Sequence, residues 1–347
     1  MSSVVYSKME GKNDPLFGKF EHPIKAIIEN ESNILEKEKN VLTELFNVEK
    51  SNRYSETVFG ESDFDTFQAS KEGQRAENDS IEATYNKTIT HTTFRKEFTI
   101  TREMAEDAKF GMGSNMKNAP KRFYRAYHKT KIKLASQALI NATSANMTFN
   151  KAKIDLTCQD KLPLFHNKHT YATDKMKGKT QCNYFYGSIS TDAATLEKTL
   201  GKAANLMRNF KDENGEVMGY VADTIIIPCN RPDFENMVKK VVGSERTVGS
   251  NNNDINTQYG NWTIVVLPYW ESDADEMMIM SSDANESLLG NMFYNRTPLD
   301  ITSEVDGHTR DYYWNGYCRM SVGFNSWKHI LRMKNSTSAV TNANTLA

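Results

Sequence analysis

The stretch at residues 118–142 constrains this chain more than any other. Apolar residues recur at Phe123, Tyr127, Leu134, Ala138 and Ala142, and Tyr124, Ile132, Ala135 and Leu139 widen the stripe. This period predicts an amphipathic helix of roughly six or seven turns at ~1.5 Å rise per residue. Pro120 falls near its first turn, where a missing N–H does no harm. The opposite surface carries Lys121, Arg122, Arg125, Lys129, Lys131 and Lys133. Such a surface reads first as a solvated face, with acidic partners or nucleic acid as alternatives.

Upstream, residues 1–22 are polar and carry Gly11, Asp14-Pro15 and Gly18, which predicts an extended arm. Pro23 then opens a helical stretch with apolar pairs at Ile27/Ile28, Ile34/Leu35 and Val41/Leu42, closing on Leu45/Phe46. Seven-residue spacing puts the pairs on one face, docked either on its own domain or on a neighbouring subunit. Periodicity is lost over residues 51–80, where Phe59, Phe64 and Phe67 sit in an acidic context. Residues 70–79 form a polar turn. Residues 84–101 then read as one long strand, with Thr92, Phe94, Lys96, Phe98 and Ile100 on a single face. These parts predict a projecting β-hairpin with little core of its own, which something else must cover. Thr101 caps a short helix over residues 102–109, ended by Gly111 and Gly113.

Beyond a loop-rich region at 146–186, Ser190 or Thr191 caps a helix whose apolar face is Ala194, Leu196, Leu200, Ala203, Leu206, Met207 and Phe210. A buried strand at 224–228, a short helix at 231–242 and strands at 262–267 and 277–280 follow, with a polar loop at 251–256. They predict a compact α/β unit over about 191–300. Residues 299–333 are strand-rich, and from Lys334 a tail of Asn, Ser, Thr and Ala without anchors is expected to be disordered.

Several constellations invite a chemical reading. Cys158, His166, His169 and Cys182 share one loop-rich stretch, and Cys and His are zinc ligands. Zinc ribbons and fingers use tighter cysteine pairs, so no metal site is assigned, and a zinc-dependent enzyme stands only as a rival. Cys229 ends a strand where a nucleophile would sit, yet a small buried apolar residue is the plainer reading. Asp63/Asp65 and Asp273/Asp275 are carboxylate pairs in turn-like, solvated segments. With no phosphate loop, serine elbow or His-Glu-x-x-His, no catalytic residue is named and no cofactor is expected.

Composition narrows the rest. The 347 residues include 43 basic and 44 acidic side chains, a net charge of −1, which disfavours a dedicated nucleic-acid binder built on residues 121–133. Only 38% are hydrophobic and the mean hydropathy is −0.63, so much of the chain lies in segments exposed or covered by partners. Four dispersed cysteines, no leader and no apolar run long enough to span a bilayer predict a soluble, cytoplasmic product.

The order of the parts matches a known family. The residues that carry the likeness are Phe59-Gly60-Glu61-Ser62-Asp63-Phe64 before the hairpin and Phe98-Thr99-Ile100-Thr101-Arg102-Glu103 after it. Further on come Leu164-Phe165-His166-Asn167-Lys168-His169, Thr224-Ile225-Ile226-Ile227-Pro228, Trp314, and Gly323-Phe324 before Trp327. Over residues 24–333 the chain resembles tailed-bacteriophage major capsid proteins of the α+β Johnson fold, in the branch of Mu-like major head subunits. The resemblance implies an N-terminal arm at 1–56, an E-loop hairpin at 57–98 and a peripheral P-domain at 99–190 plus 300–333, with the long helix as its spine. It also implies an axial A-domain at 191–299, ahead of the tail at 334–347. It implies a structural protein, not an enzyme, forming hexamers and pentamers of an icosahedral head around double-stranded DNA bound without sequence specificity. The polar lead before Pro23 is short for a scaffolding segment, so a separate scaffolding protein is expected, beside a portal and a possible decoration protein. Lys71 lies near the hairpin tip, where some relatives crosslink to a neighbour's asparagine; no such bond is assigned here. An encapsulin-like compartment of the same fold is the nearest rival.

Overall fold

The computed structural model describes residues 4–62, 64, 66–75, 78, 81–108, 114–248 and 254–346. The expected arm is not simply extended. It forms strand β1 (Val4–Met9) and a tight turn, in which the Asp14 carboxylate accepts from the N–H groups of Leu16 and Phe17. Helix α1 (Gly18–Leu35) therefore starts before Pro23, which lies inside it. Ile24 and Ile28 are buried, but Ile34 is half exposed, and the single helix expected as far as Phe46 breaks after Leu35. The cause is Asn40. Its side chain accepts from Leu42 N–H while the Thr43 hydroxyl accepts from the Asn40 N–H, a capping box that starts a new helix, α2 (Val41–Leu45).

Strand β2 (Asn47–Lys50) leads to the hairpin, in which β3 (Ser55–Glu61) pairs antiparallel with β4 (Ala83–Thr90). The long strand expected over 84–101 breaks at His91, and β5 (Thr92–Ile100) belongs to a different sheet. Thr101 caps α3 (Arg102–Asp107) by accepting from Met104 N–H; Gly111 and Gly113 lie outside the described residues. The long helix is α4 (Ser114–Ile140). It begins a turn earlier than the stripe suggested, so Pro120 sits inside it rather than in its first turn. Two small hairpins follow, β6 (Asn146–Phe149) with β7 (Ala152–Asp155) and β8 (His169–Thr170) with β9 (Thr180–Gln181). Next come β10 (Tyr184–Gly187) and α5 (Ala193–Arg208), which is capped by Asp192 rather than by Ser190 or Thr191.

Strand β11 (Thr224–Pro228) is buried throughout. Helix α6 (Pro232–Gly243) starts on its proline, and β12 (Thr263–Leu267), β13 (Glu276–Met280) and the short α7 (Ser282–Ser287) complete this part. The chain then runs through two long strands, β14 (Asn291–Val305) and β15 (Tyr312–Phe324), and on to β16 (Ile330–Asn335). A last short strand, β17 (Asn344–Thr345), corrects the expectation of a disordered tail. It pairs parallel with β10, and Val340, Ala343 and Leu346 pack against the core.

Two sheets organise these elements. The first has the order β1-β14-β15-β5, with β2 also on β14, and α4 crosses it. The apolar stripe of α4 buries Phe123, Tyr127 and Leu134 against this sheet and its surroundings, each contributing about 1.5–3 kcal/mol. Contact is close because Gly316 of β15 has no side chain: a Cβ there would stand 2.4 Å from the Phe123 ring. The second sheet has the order β12-β11-β13-β16-β10-β17. The α/β unit expected to be contained in 191–300 thus borrows half its strands from outside that range. The sequence hid this because β10, β16 and β17 are short and far apart. Arg332 of β16 ties the parts together. It donates to the Glu276 carboxylate at 2.6 Å and to the Ile140 carbonyl at the end of α4. Burial pushes the Glu276 carboxyl up, but Arg332 and Lys334 outweigh it and hold the group below its ordinary range.

Candidate functional site

The residues with possible chemistry resolve into structural roles. His169 is fully buried and stacks on Trp327, centroids 4.6 Å apart. Its Nδ1 lies 2.7 Å from the Asp160 carboxylate and its Nε2 3.2 Å from the Leu164 carbonyl, so both nitrogens face oxygen acceptors and neither is aimed at a metal. His166 Nδ1 accepts from Lys168 N–H, and burial lowers its pKa. The Cys158 thiol is buried and pushed well up by desolvation, and Cys182 bonds to the Tyr184 carbonyl. Among the described residues no cluster of three or more His, Cys, Asp or Glu side chains could hold a metal ion.

Two sequence readings change. Cys229 is exposed rather than buried, because the chain turns outward after β11. Asp275 is not a solvated carboxylate: it receives the Arg231 guanidinium at 2.6 and 2.9 Å and the Ser190 hydroxyl at 2.7 Å. Asp63 and Asp65 lie outside the described residues. The basic surface of α4 is also partly engaged. Arg125 and Lys121 pair with the buried Glu31 of α1, Lys131 lies over the Tyr127 ring and Lys133 over Tyr269.

What the chain leaves unfinished is the hairpin. Phe59, Phe64 and Phe67 are 71%, 63% and 106% exposed, and Tyr54 and Ile81 are uncovered as well. Residues 55–82 also hold eight acidic and two basic side chains. At the base, Lys87 is buried and bonds Asp155 at 2.5 Å, and Ile89 packs against the Gly323 backbone. The tip turns at Lys71, whose carbonyl accepts from Gln74 N–H around Gly73 at φ +78°. An acidic hairpin anchored at its base, with exposed phenylalanines among its described residues, has the character of an interaction surface.

A complementary surface lies elsewhere on the chain. Between β5 and α4 runs a groove of about 320 Å³, in which Phe94, Phe123, Tyr127 and Leu299 lie beside the polar Thr93, Thr130 and Asn150, with Gly316 on its floor. Arg95 and Lys96 border it and the adjoining depression over Asn315 and Tyr317. Strand β5 ends its sheet, so one of its edges carries no paired strand among the described residues. Sequence reasoning named the hairpin but missed the groove, because its walls come from segments far apart in the chain.

A sheet crossed by one long helix, an exposed hairpin and an α/β unit closed by distant strands define the architecture. The sequence matches the family described as phage capsid protein over residues 84–333. The chain belongs to that phage capsid protein family. No curated protein matches it. Solved structures share the fold at low identity. The capsid of an empty GTA particle aligns with a TM-score of 0.50 at 10% identity, over 87% of this chain and 91% of that one. The capsid of cyanophage P-SCSP1u gives 0.50 at 10%, over 86% and 89%. A structure from Mycobacterium phage Patience gives 0.50 at 12%, over 94% and 88%. The zinc-enzyme and encapsulin-like readings gain no support from these matches.

Proposed function

We propose that this capsid protein is the major head subunit of a tailed phage, of the Mu-like branch, and that it assembles as hexamers and pentamers into an icosahedral shell enclosing double-stranded DNA. The observation that carries this reading is the acidic, phenylalanine-bearing hairpin, together with a basic-rimmed groove of mixed polar and aromatic lining on the same chain. Within one molecule each surface lacks a cover. Between copies, the hairpin of one subunit lies over the sheet and spine helix of the next, a heterologous contact that closes into rings. In this reading residues 1–56 are the arm, 57–98 the E-loop, 99–190 with 300–333 the P-domain around α4, and 191–299 the A-domain nearest the axes. The break at His91 favours taking the projecting part of the E-loop as residues 55–90. A separate scaffolding protein, a portal and a decoration protein are its partners, assembly takes place in the bacterial cytoplasm, and the subunit performs no catalysis. Electron microscopy of the expressed chain, alone and with its neighbouring genes, tests the proposal. Rings or closed shells support it, and a monomer under every condition defeats it.

A further inference from the structure

The face of the first sheet turned away from α4 gathers two arginines that no carboxylate of the described chain neutralises. In β15, Cys318 and Met320 point to the helix side, so Tyr317, Arg319 and Ser321 share the other face. Arg319 pairs in register with Thr297, next to a β-bulge that inserts Arg296 as an extra residue in β14. Bulges re-aim side chains, and this one brings Arg296 to the base of the hairpin, where its Nη1 donates to the Ser51 carbonyl at 3.3 Å. Among the described residues the Arg319 side chain makes no ion pair or hydrogen bond, and the Nε atoms of both arginines are buried without a partner. His91 stands between them. Its ring nitrogens lie 2.8 Å from the Ser51 hydroxyl and 2.9 Å from Ser321, and the fields of Arg319 and Arg296 add to burial in lowering its pKa.

Among the described residues no carboxylate of this region pairs with either arginine, although Glu49 of β2, in register with Tyr294, stands on the same face. Glu56 receives the Ser51 hydroxyl at 2.6 Å, and Asp300, opposite Tyr317, receives Ser7. Two guanidinium groups with orphaned N–H groups beside a buried histidine form half of a charge-assisted contact. A guanidinium fork fits a carboxylate in a planar, two-bond arrangement that an ammonium cannot reproduce.

We propose that Arg296 and Arg319 form an oxyanion-binding site at the hairpin base whose ligand in the assembled shell is a carboxylate side chain of a second copy of this chain. This rests on the shell-subunit reading. It adds that one intersubunit contact is a specific arginine–carboxylate clamp, separate from the groove beneath β5. The second copy is the favoured source because its hairpin segment is strongly acidic.

The test uses the full-length chain and the Arg319→Ala, Arg319→Lys and Arg319→Glu variants. Because the Arg319 side chain makes no hydrogen bond or ion pair among the described residues, Arg319→Ala and Arg319→Lys should melt close to wild type as unassembled subunits, and the melting temperature of Arg319→Glu is measured beside them. Under assembly conditions Arg319→Ala should lower particle yield roughly tenfold or more, the scale on which lost interface charge pairs act. Arg319→Lys should recover only part of the yield, and Arg319→Glu should form no particles. In the unassembled state, sodium acetate should raise the melting temperature of wild type more than that of Arg319→Ala at equal ionic strength. Wild-type yields from Arg319→Ala and Arg319→Glu would overturn the proposal, as would equal acetate protection of both proteins. Salt-sensitive binding of a short DNA duplex that Arg319→Glu abolishes, with assembly unaffected, would identify a nucleic-acid phosphate as the ligand and overturn the carboxylate. A wild-type chain that never forms particles defeats the shell reading itself, and the acetate comparison then decides the site alone.

Discussion

Single side chains set the sharpest constraints on this fold. His329 is fully buried, with Nε2 2.8 Å from the Asn291 side-chain oxygen. The ring lies so close over Gly290 that a Cβ there would stand 2.4 Å from Nδ1. Burial pushes its pKa down to about 3, so the folded chain holds it neutral. The unfolded chain takes up a proton near the ordinary value of 6.5, while the folded chain resists until about 3. The stabilisation is therefore complete above pH 6.5 and is lost as pH falls through that window, by about 1.4 kcal/mol per unit. Urea unfolding of unassembled subunits between pH 7 and 5 should show this slope, and His329→Gln should flatten it. Asn183 is a second such residue. Its amide donates to the carbonyls of Leu164, Trp327 and Ile330 and its oxygen accepts from His166 N–H, all in a fully buried site. Asn183→Ala strands those groups together, and a loss of about 3 kcal/mol or more is expected in the same unfolding measurement. The composition of the loop gave no sign of either role, since each depends on carbonyls that only the fold brings together.

At the level of elements, patterns with a strong local cause were legible. The stripe of α4, the cap of α3 and the uniformly apolar strand β11 were all anticipated, because periodicity and capping chemistry are local. The misses share the opposite property. Nothing in the run of residues around His91 marks the end of one sheet and the start of another; the bend follows from the ring bonding Ser51 on one side and Ser321 on the other. The apolar pairs near the N-terminus suggested a continuous helix, but the Asn40 cap outweighs them. Asn40→Ala should cost about 1 kcal/mol in thermal unfolding without changing the hairpin. The groove under β5 and the arginines around the bulge were not readable at all, since register and bulges are not written in a hydrophobic pattern.

For the whole molecule, the prediction concerns assembly rather than stability. Replacing Phe59, Phe64 and Phe67 together by Ser removes exposed rings that support no core, so the melting temperature of the isolated subunit should hold or rise. Sedimentation should show the same variant failing to form particles at concentrations where wild type does. The sheet of the α/β unit carries a further consequence. Three of its six strands lie outside the segment that supplies the others, and β17 begins only at Asn344. On the ribosome, β11, β12 and β13 emerge with an edge of β13 that stays open until β16, at Ile330–Asn335, has been synthesised. A sheet assembled from such distant strands therefore gains its cooperativity late, when β16 docks on β13.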